Sequence, residues 1–316
     1  MTIYERGIIT FAYGLPKFIE MAKTLAHSLN LYSPNIRRAI VTDNPDNKEL
    51  IELFDDIIPL RKDYGSNLRQ KLHLDKYAPY QKTLYIDSDS IVVRDINFIF
   101  EVFAGRSFSL AGDNFISFGD KDPFFEVDAM LNQFALEKLP KFNGGLFYLE
   151  KGNTVTALFE TSREILSKWR EYGFSAWRGD GPNDEPIISI AMTLHGQSMV
   201  LDEGKIMRTP IGLRGSFDID VLTGKSTFQK RDKVVSPAIV HFACVWNEHP
   251  VYYREVRKLK NLSEEKNGQI NLELFSGIEQ KFGYQIAFVK YVSQRILKIP
   301  KYSRATFKKV LKNLLP

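Results

Sequence analysis

Tyr77–Ile96 reads YAPYQKTLYIDSDSIVVRDI, and this stretch organises the fold expected of the whole chain. A helix-like run ends at Pro79, an apolar strand covers Thr83–Ile86, and apolar character resumes at Ile91, Val92 and Val93. Asp87, Ser88 and Asp89 stand between the two apolar runs. Carboxylates in a β-rich apolar run are costly to desolvate unless something compensates them, and a divalent cation is the simplest compensation. In extended backbone residues i and i+2 point to the same side. Asp87 and Asp89 can therefore share one metal, or a metal and a sugar hydroxyl. The plainer alternative is that the two aspartates cap a loop after a strand, because D-x-D is a common tripeptide.

Upstream, Gly7–Tyr13 (GIITFAY) reads as a buried strand ending near Gly14. Pro16 suits the first turn of a helix, and Phe18, Ile19, Ala22, Leu25, Ala26 and Leu29 recur at helical spacing through Asn30. A strand over Arg38–Val41, a helix over Lys48–Phe54, a strand over Ile57–Leu60 and a helix over Asn67–Tyr77 follow. The order β-α-β-α-β-α-β predicts an α/β fold, with a Rossmann-like, mostly parallel central sheet and flanking helices. Ligands in such sheets sit beyond the carboxyl ends of the strands. The turn after Tyr13, the turn at Thr42–Asp43 and the DSD segment all fall at that edge.

Downstream the pattern is less regular. Ser107–Ala111 reads as a short strand leading into Gly112, Asp113 and Asn114, and Asp120–Lys138 as a helical excursion. A strand follows the two glycines of Phe142–Glu150. Thr154–Tyr172 reads as an amphipathic helix, Pro186 as the start of another, and Ala238–Trp246 as an apolar strand carrying His241.

The 316 residues allow one large or two small domains, and the expected division is 1–255 and a helical, basic tail over 256–316. The lone Cys244 excludes an intrachain disulfide and fits a reducing, cytoplasmic setting. The N-terminal apolar run is too short for a signal peptide, and no run reaches the roughly 18 apolar residues a membrane span needs. Lys281–Pro316 holds nine of the 43 basic residues and none of the 38 acidic ones. The rest of the chain, with 34 basic against 38 acidic, is not by charge a nucleic-acid binder. Two amphipathic helices are expected in the tail, over Tyr284–Ile299 and Arg304–Leu315. They either dock with a solvated basic face or contact an anionic membrane surface peripherally.

Four elements stand in order after GIITFAYG: DSD at Asp87–Asp89, FNGG at Phe142–Gly145, NDEP at Asn183–Pro186, and HFACVW at His241–Trp246. Together they resemble the GT-A fold glycosyltransferases, family 8 in particular, which includes glycogenin and bacterial lipopolysaccharide galactosyl- and glucosyltransferases. The resemblance covers roughly Gly7 to Pro250. It implies a nucleotide-sugar donor, usually UDP-linked, and Mn²⁺ or Mg²⁺ held by Asp87, Asp89 and His241, a donor set suited to Mn²⁺. It implies a hexose or N-acetylhexosamine moved, with retention, to a glycan, glycolipid or protein acceptor. Further roles follow from the resemblance: Lys71 and the DSD residues, Ser88 included, against the donor; Asn143 and Asp113 against its sugar; Asp184 and Glu185 near the reactive carbon; Thr10, Ala12 and Tyr13 beneath uracil and ribose. Gly144 and Gly145, without side chains, let the backbone approach a ligand closely. Each has a structural alternative: a core histidine, a solvated lysine, a glycine turn, a helix N-cap at Asp184–Glu185, a core tyrosine. Family members commonly carry a lysine soon after the histidine, and the run after His241 has none.

Two other classes share part of this pattern. A haloacid dehalogenase-type phosphatase also has D-x-D at a strand end, but at its first strand. A non-catalytic module that only binds a sugar nucleotide would keep the fold without turnover. A nucleotidyltransferase would need a phosphate loop near the N-terminus, which is missing.

Overall fold

A computed structural model describes residues 4–177 and 181–266. The chain divides into two compact units, one ending at His241 and one beginning at Phe242.

In the first unit, β1 (Arg6–Ala12) leads into α1 (Pro16–Tyr32), β2 (Arg37–Thr42), α2 (Lys48–Leu53) and β3 (Asp56–Pro59). Two 3-10 segments, Lys62–Tyr64 and Asn67–His73, precede the single turn α3 (Leu74–Tyr77), and β4 (Lys82–Ile86) and β5 (Ser90–Val92) flank the DSD residues. Then come α4 (Asn97–Val102), β6 (Phe108–Ser109), β7 (Ala111–Ser117), α5 (Val127–Gln133), β8 (Lys138–Phe142), β9 (Leu146–Glu150), α6 (Asn153–Ser167) and α7 (Asp184–Leu194). The unit closes with β10 (Val200–Leu201), β11 (Met207–Arg208), β12 (Leu213–Asp220), β13 (Lys225–Lys230), β14 (Lys233–Val235) and β15 (Ile239–His241).

The central sheet has the order β3-β2-β1-β4-β9-β6. Its first four strands are parallel, and β9 runs antiparallel to both β4 and β6. Successive residues of its strands feed opposite cores, as pleating requires. Ile9, Phe11, Tyr85 and Phe147 join one core with α6 and α7; Ile8, Leu84, Ile86 and Tyr148 join another with α1 and α4. Burial on both faces is why β1 and β4 read as unbroken apolar runs. Leu84 and Ile86 are fully buried, each worth roughly 1.5–3 kcal/mol against exposure.

The expected α/β architecture is present, with local corrections. Residues 67–73 wind as 3-10 rather than α-helix, with the buried Gln70 amide tied back to the carbonyls of Arg61 and Gly65 at 2.8 and 2.6 Å. The excursion over 120–138 narrows to α5. The expected strand over 238–246 spans only β15, and Cys244 turns the backbone with φ +61°. β5 leaves the central sheet and pairs antiparallel with β15 in a second sheet of order β11-β15-β5. The antiparallel sheet β12-β13-β14 has no counterpart among the expected elements, because its strands alternate charge with isolated apolar residues.

In the second unit the described residues hold a 3-10 segment, Cys244–Glu248, and α8 (Pro250–Lys266), with the Phe242 and Tyr252 rings 5.0 Å apart. The two expected tail helices lie outside the described residues. No helix among the described residues is long and apolar enough to cross a membrane.

Candidate functional site

β4 ends at Ile86 and the DSD residues form a tight turn, not the extended segment expected. Asp87 N–H donates to Gly145 O at 2.9 Å and Ser90 N–H to Asp87 O at 3.1 Å. The turn, rather than strand alternation, gathers the carboxylates. β5 pairs with β15 so that Ser90 lies opposite His241. That pairing delivers an imidazole from far along the chain: His241 Nε2 lies 3.0 Å from Asp89 Oδ1 and 3.5 Å from Asp87 Oδ2. One ligand atom from each of the three residues falls within 4.8 Å of the others.

The hydrogen bonds around His241 define its tautomer. Asn143 Oδ1 accepts Gly145 N–H at 3.1 Å and lies 2.6 Å from His241 Nδ1, so Nδ1 carries the proton and donates. Nε2 is then a lone pair aimed at two carboxylates, an arrangement that requires either a proton or a cation between them. Burial opposes charge on His241, but Asp89 and Asp87 outweigh it and raise its pKa. Three carboxylates, Asp87, Asp89 and Asp184, also face a single ammonium, Lys71. Two carboxylates and an imidazole with Nδ1–H anchored fit a divalent ion. Gly145 is required here: a Cβ would meet His241 Nδ1 at 2.4 Å and Asn143 Oδ1 at 2.9 Å. The sequence suggested that Gly144–Gly145 admits a ligand; at Gly145 it is the histidine ring that comes close.

Lys71 reaches the cluster from the 3-10 segment. Its Nζ lies 2.9 Å from an Asp87 carboxylate oxygen, 3.1 Å from Gly144 O and 3.4 Å from Asp184 Oδ2. Burial works against the charge, yet Asp184 and Asp87 dominate and the pKa rises. Tyr85 O–H donates to Asp87 Oδ1. Asp184 opens α7, buried, with its pKa raised by desolvation and by Asp87 against the pull of Lys71. Glu185 is pushed up to about 7, by burial first and then by Asp184. Its Oε1 accepts Gly144 N–H at 2.9 Å, and Asn183 Oδ1 caps the helix by accepting Glu185 N–H at 2.8 Å. The N-cap expected at Asp184–Glu185 is thus one residue earlier.

Asn143 links this cluster to a small cleft lined by Asp113, Arg208, Thr209 and Lys230 among others. The structure therefore gathers Lys71, Asp87, Asp89, Asn143, Gly144, Gly145, Asp184, Glu185 and His241, with Asp113 in the adjoining cleft. Ser88 is buried in the turn. Tyr13 is half-buried, its hydroxyl pKa raised by burial, and it feels the charges of Lys71 and Asp87. Thr10 and Ala12 have essentially no exposed surface, Ala12 within a core cluster with Ala22 and Ile40. Sequence reasoning missed Tyr85, although its place two residues before Asp87 was a period-two signal. It also missed Asp202, Arg208 and Lys230, which belong to no motif.

No family model matches the chain, and no curated protein matches it. Solved structures do. The galactosyltransferase LgtC, determined in complex with donor and acceptor sugar analogs, aligns with a TM-score of 0.51 at 14% identity over 84% of this chain and 100% of its own. An active-site mutant of LgtC aligns with the same score and identity over 82% and 95%. The glycosyltransferase GlyE of Streptococcus pneumoniae TIGR4 gives 0.42 at 17% identity over 63% of this chain, which spans 46% of GlyE. The fold is the GT-A fold of glycosyltransferases.

Proposed function

We propose that the chain is a metal-dependent glycosyltransferase, family 8-like, that moves a hexose or N-acetylhexosamine from a UDP-sugar to a glycan, glycolipid or protein acceptor with retention. The observation that carries this reading is the Asp87–Asp89–His241 cluster at the carboxyl end of β4, with Asn143 holding the imidazole lone pair toward the carboxylates. Mn²⁺ or Mg²⁺ held there supplies charge that stabilises a diphosphate leaving group.

The remaining roles belong to the chain's own groups. Lys71 balances Asp87 and Asp184, so the pocket keeps a defined charge. Tyr13 stacks on the base, with Thr10 and Ala12 as packing behind it. Asp113 accepts from a sugar hydroxyl, and Gly144 and Gly145 set the distance between α7 and the cluster. Asp184 and Glu185 face the sugar, and a Glu185 carboxyl titrating near neutrality can hold or release a proton beside the acceptor hydroxyl. A cytoplasmic location, with the basic tail on anionic lipid and no nucleic-acid partner, is part of the same reading; its support is the lone cysteine and the charge asymmetry.

The test is UDP release from a panel of UDP-sugars with Mn²⁺, Mg²⁺ or EDTA, beside phosphate release from phosphomonoesters. UDP release that needs the metal is expected. Phosphate release without UDP release would turn the reading toward a phosphatase, and metal-dependent donor binding without turnover would leave a binding module.

A further inference from the structure

Asp113 is held in its cleft by a clamp. The β7–β8 register slips between Gly112, opposite Phe142, and Asn114, opposite Lys141, which makes Asp113 the extra residue of a β-bulge. Bulges re-aim a side chain and recur beside active sites. Arg208 Nη2 meets Asp113 Oδ1 at 2.6 Å, and Arg208 Nη1 donates to Asp202 Oδ2 at 2.7 Å. Asp202 is itself immobilised: its carboxylate accepts the backbone N–H groups of Gly204, Lys205, Ile206 and Met207, between 2.8 and 3.3 Å. Arg208 Nη2 also donates to Asp202 O. The guanidinium is thus a planar fork with one prong on each of two carboxylates, and turning it would break the Asp202 contacts.

The exposures separate a stabilising role from an aiming role. The Asp202 side chain is 1% exposed and that of Arg208 8%, while that of Asp113 is 50% exposed. A half-exposed carboxylate is already solvated and gains little stability from a partner. Tethering it to a buried, fixed arginine chiefly restricts where it points.

We propose that Arg208, locked by Asp202, is a positioning residue for Asp113: it occupies Oδ1, and Oδ2 is left to accept a hydroxyl of the donor sugar. This rests on the donor reading above. Arg208 acts through Asp113, so it governs the sugar's contribution to binding and not that of the nucleotide or metal.

The experiment is calorimetric titration of the full chain with UDP, UDP-glucose, UDP-galactose and UDP-N-acetylglucosamine, each with Mn²⁺. The readout is the affinity gained from the sugar over UDP alone. Parent, Arg208→Lys, Asp113→Ala and their double variant are compared, with Lys205→Ala, an exposed residue of the same loop, as control. UDP affinity should be unchanged throughout, and each single variant should lose about tenfold of the sugar's gain. The double variant should lose no more than Asp113→Ala, because groups acting as one unit are non-additive. If Arg208→Lys does not fold, Asp202→Asn, which keeps an acceptor oxygen for the backbone, gives the same readout. A full sugar gain in Arg208→Lys, or losses that multiply in the double variant, would overturn the positioning role alone. A parent that binds neither UDP nor any UDP-sugar would overturn the donor reading and this role with it.

Discussion

The parallel half of the sheet and the cleft lined from β7, β8 and β11 are built on different physics. β1, β2 and β4 are buried on both faces, and Ile8, Ile9, Ile40, Val41, Leu84 and Ile86 have at most 1% of their surface exposed. Close packing of that kind leaves little freedom, and it places the DSD turn at the rim. Around the cleft, charge sets much of the order: Asp122 with Lys141 at 2.5 Å, Asp202 with Arg208, Arg208 with Asp113, and a bulge in β7. The apolar half gives the cluster a rigid floor. The polar side fixes single side chains around a cleft by ion pairs.

The largest effect should come from the floor's rim. Asp89→Ala removes one of two carboxylates next to His241 Nε2 and should cut metal-dependent UDP release on the order of 10³-fold. Its thermal midpoint should stay near that of the parent, since a partly exposed carboxylate is removed from a crowd of like charges. Parent-like turnover would break the site assignment.

Next is Gly145→Ala. The added methyl displaces His241 or Asn143, and disturbed support of a metal-binding histidine costs about 10–100-fold in metal affinity. Titration with Mn²⁺ measures this directly, and an unchanged affinity would show that the Asn143 contact does not orient the imidazole.

Glu185 gives a pH-dependent effect. Its folded pKa of about 7 lies above the ordinary 4.5, so the folded chain holds a proton that the unfolded chain has lost. Its protonation therefore makes stability fall as pH rises from about 4.5 to about 7, with no further change above that window. Glu185→Gln should flatten this part of the profile in denaturant titrations across the same range, and an unaltered slope would place the titration elsewhere.

The smallest effects compare the halves most directly. Asn47 caps α2, accepting Leu50 N–H at 3.1 Å, and Asn183 caps α7. Either change to Ala should cost about 1 kcal/mol. Only Asn183→Ala should alter donor kinetics, because α7 carries Asp184 and Glu185; equal kinetics in both would separate α7 from the chemistry.

Legibility in the sequence followed the same division. The four parallel strands were readable within a residue or two, because uninterrupted apolar runs between turn residues have few other interpretations. The DSD residues stood out as charge in an apolar run. β12–β14 and the Arg208 clamp were not readable. Met207–Arg208 is a two-residue strand, and Asp202 shows neither periodicity nor motif spacing. For Thr10 and Ala12 the resemblance implied a place beneath the base, and packing leaves them at most 1% of their surface exposed.

What the sequence by itself determined was the α/β class and the presence of two carboxylates too costly to leave uncompensated beside β4. Both are local consequences of which side chains tolerate loss of water. What only the tertiary structure decided was the company those carboxylates keep. Strand pairing between β5 and β15 brought His241 to them, Asn143 chose its tautomer, and Arg208 bound Asp113 across the cleft. Such contacts join residues far apart in the chain, and their energies depend on distances of a few ångströms that no spacing along the chain encodes.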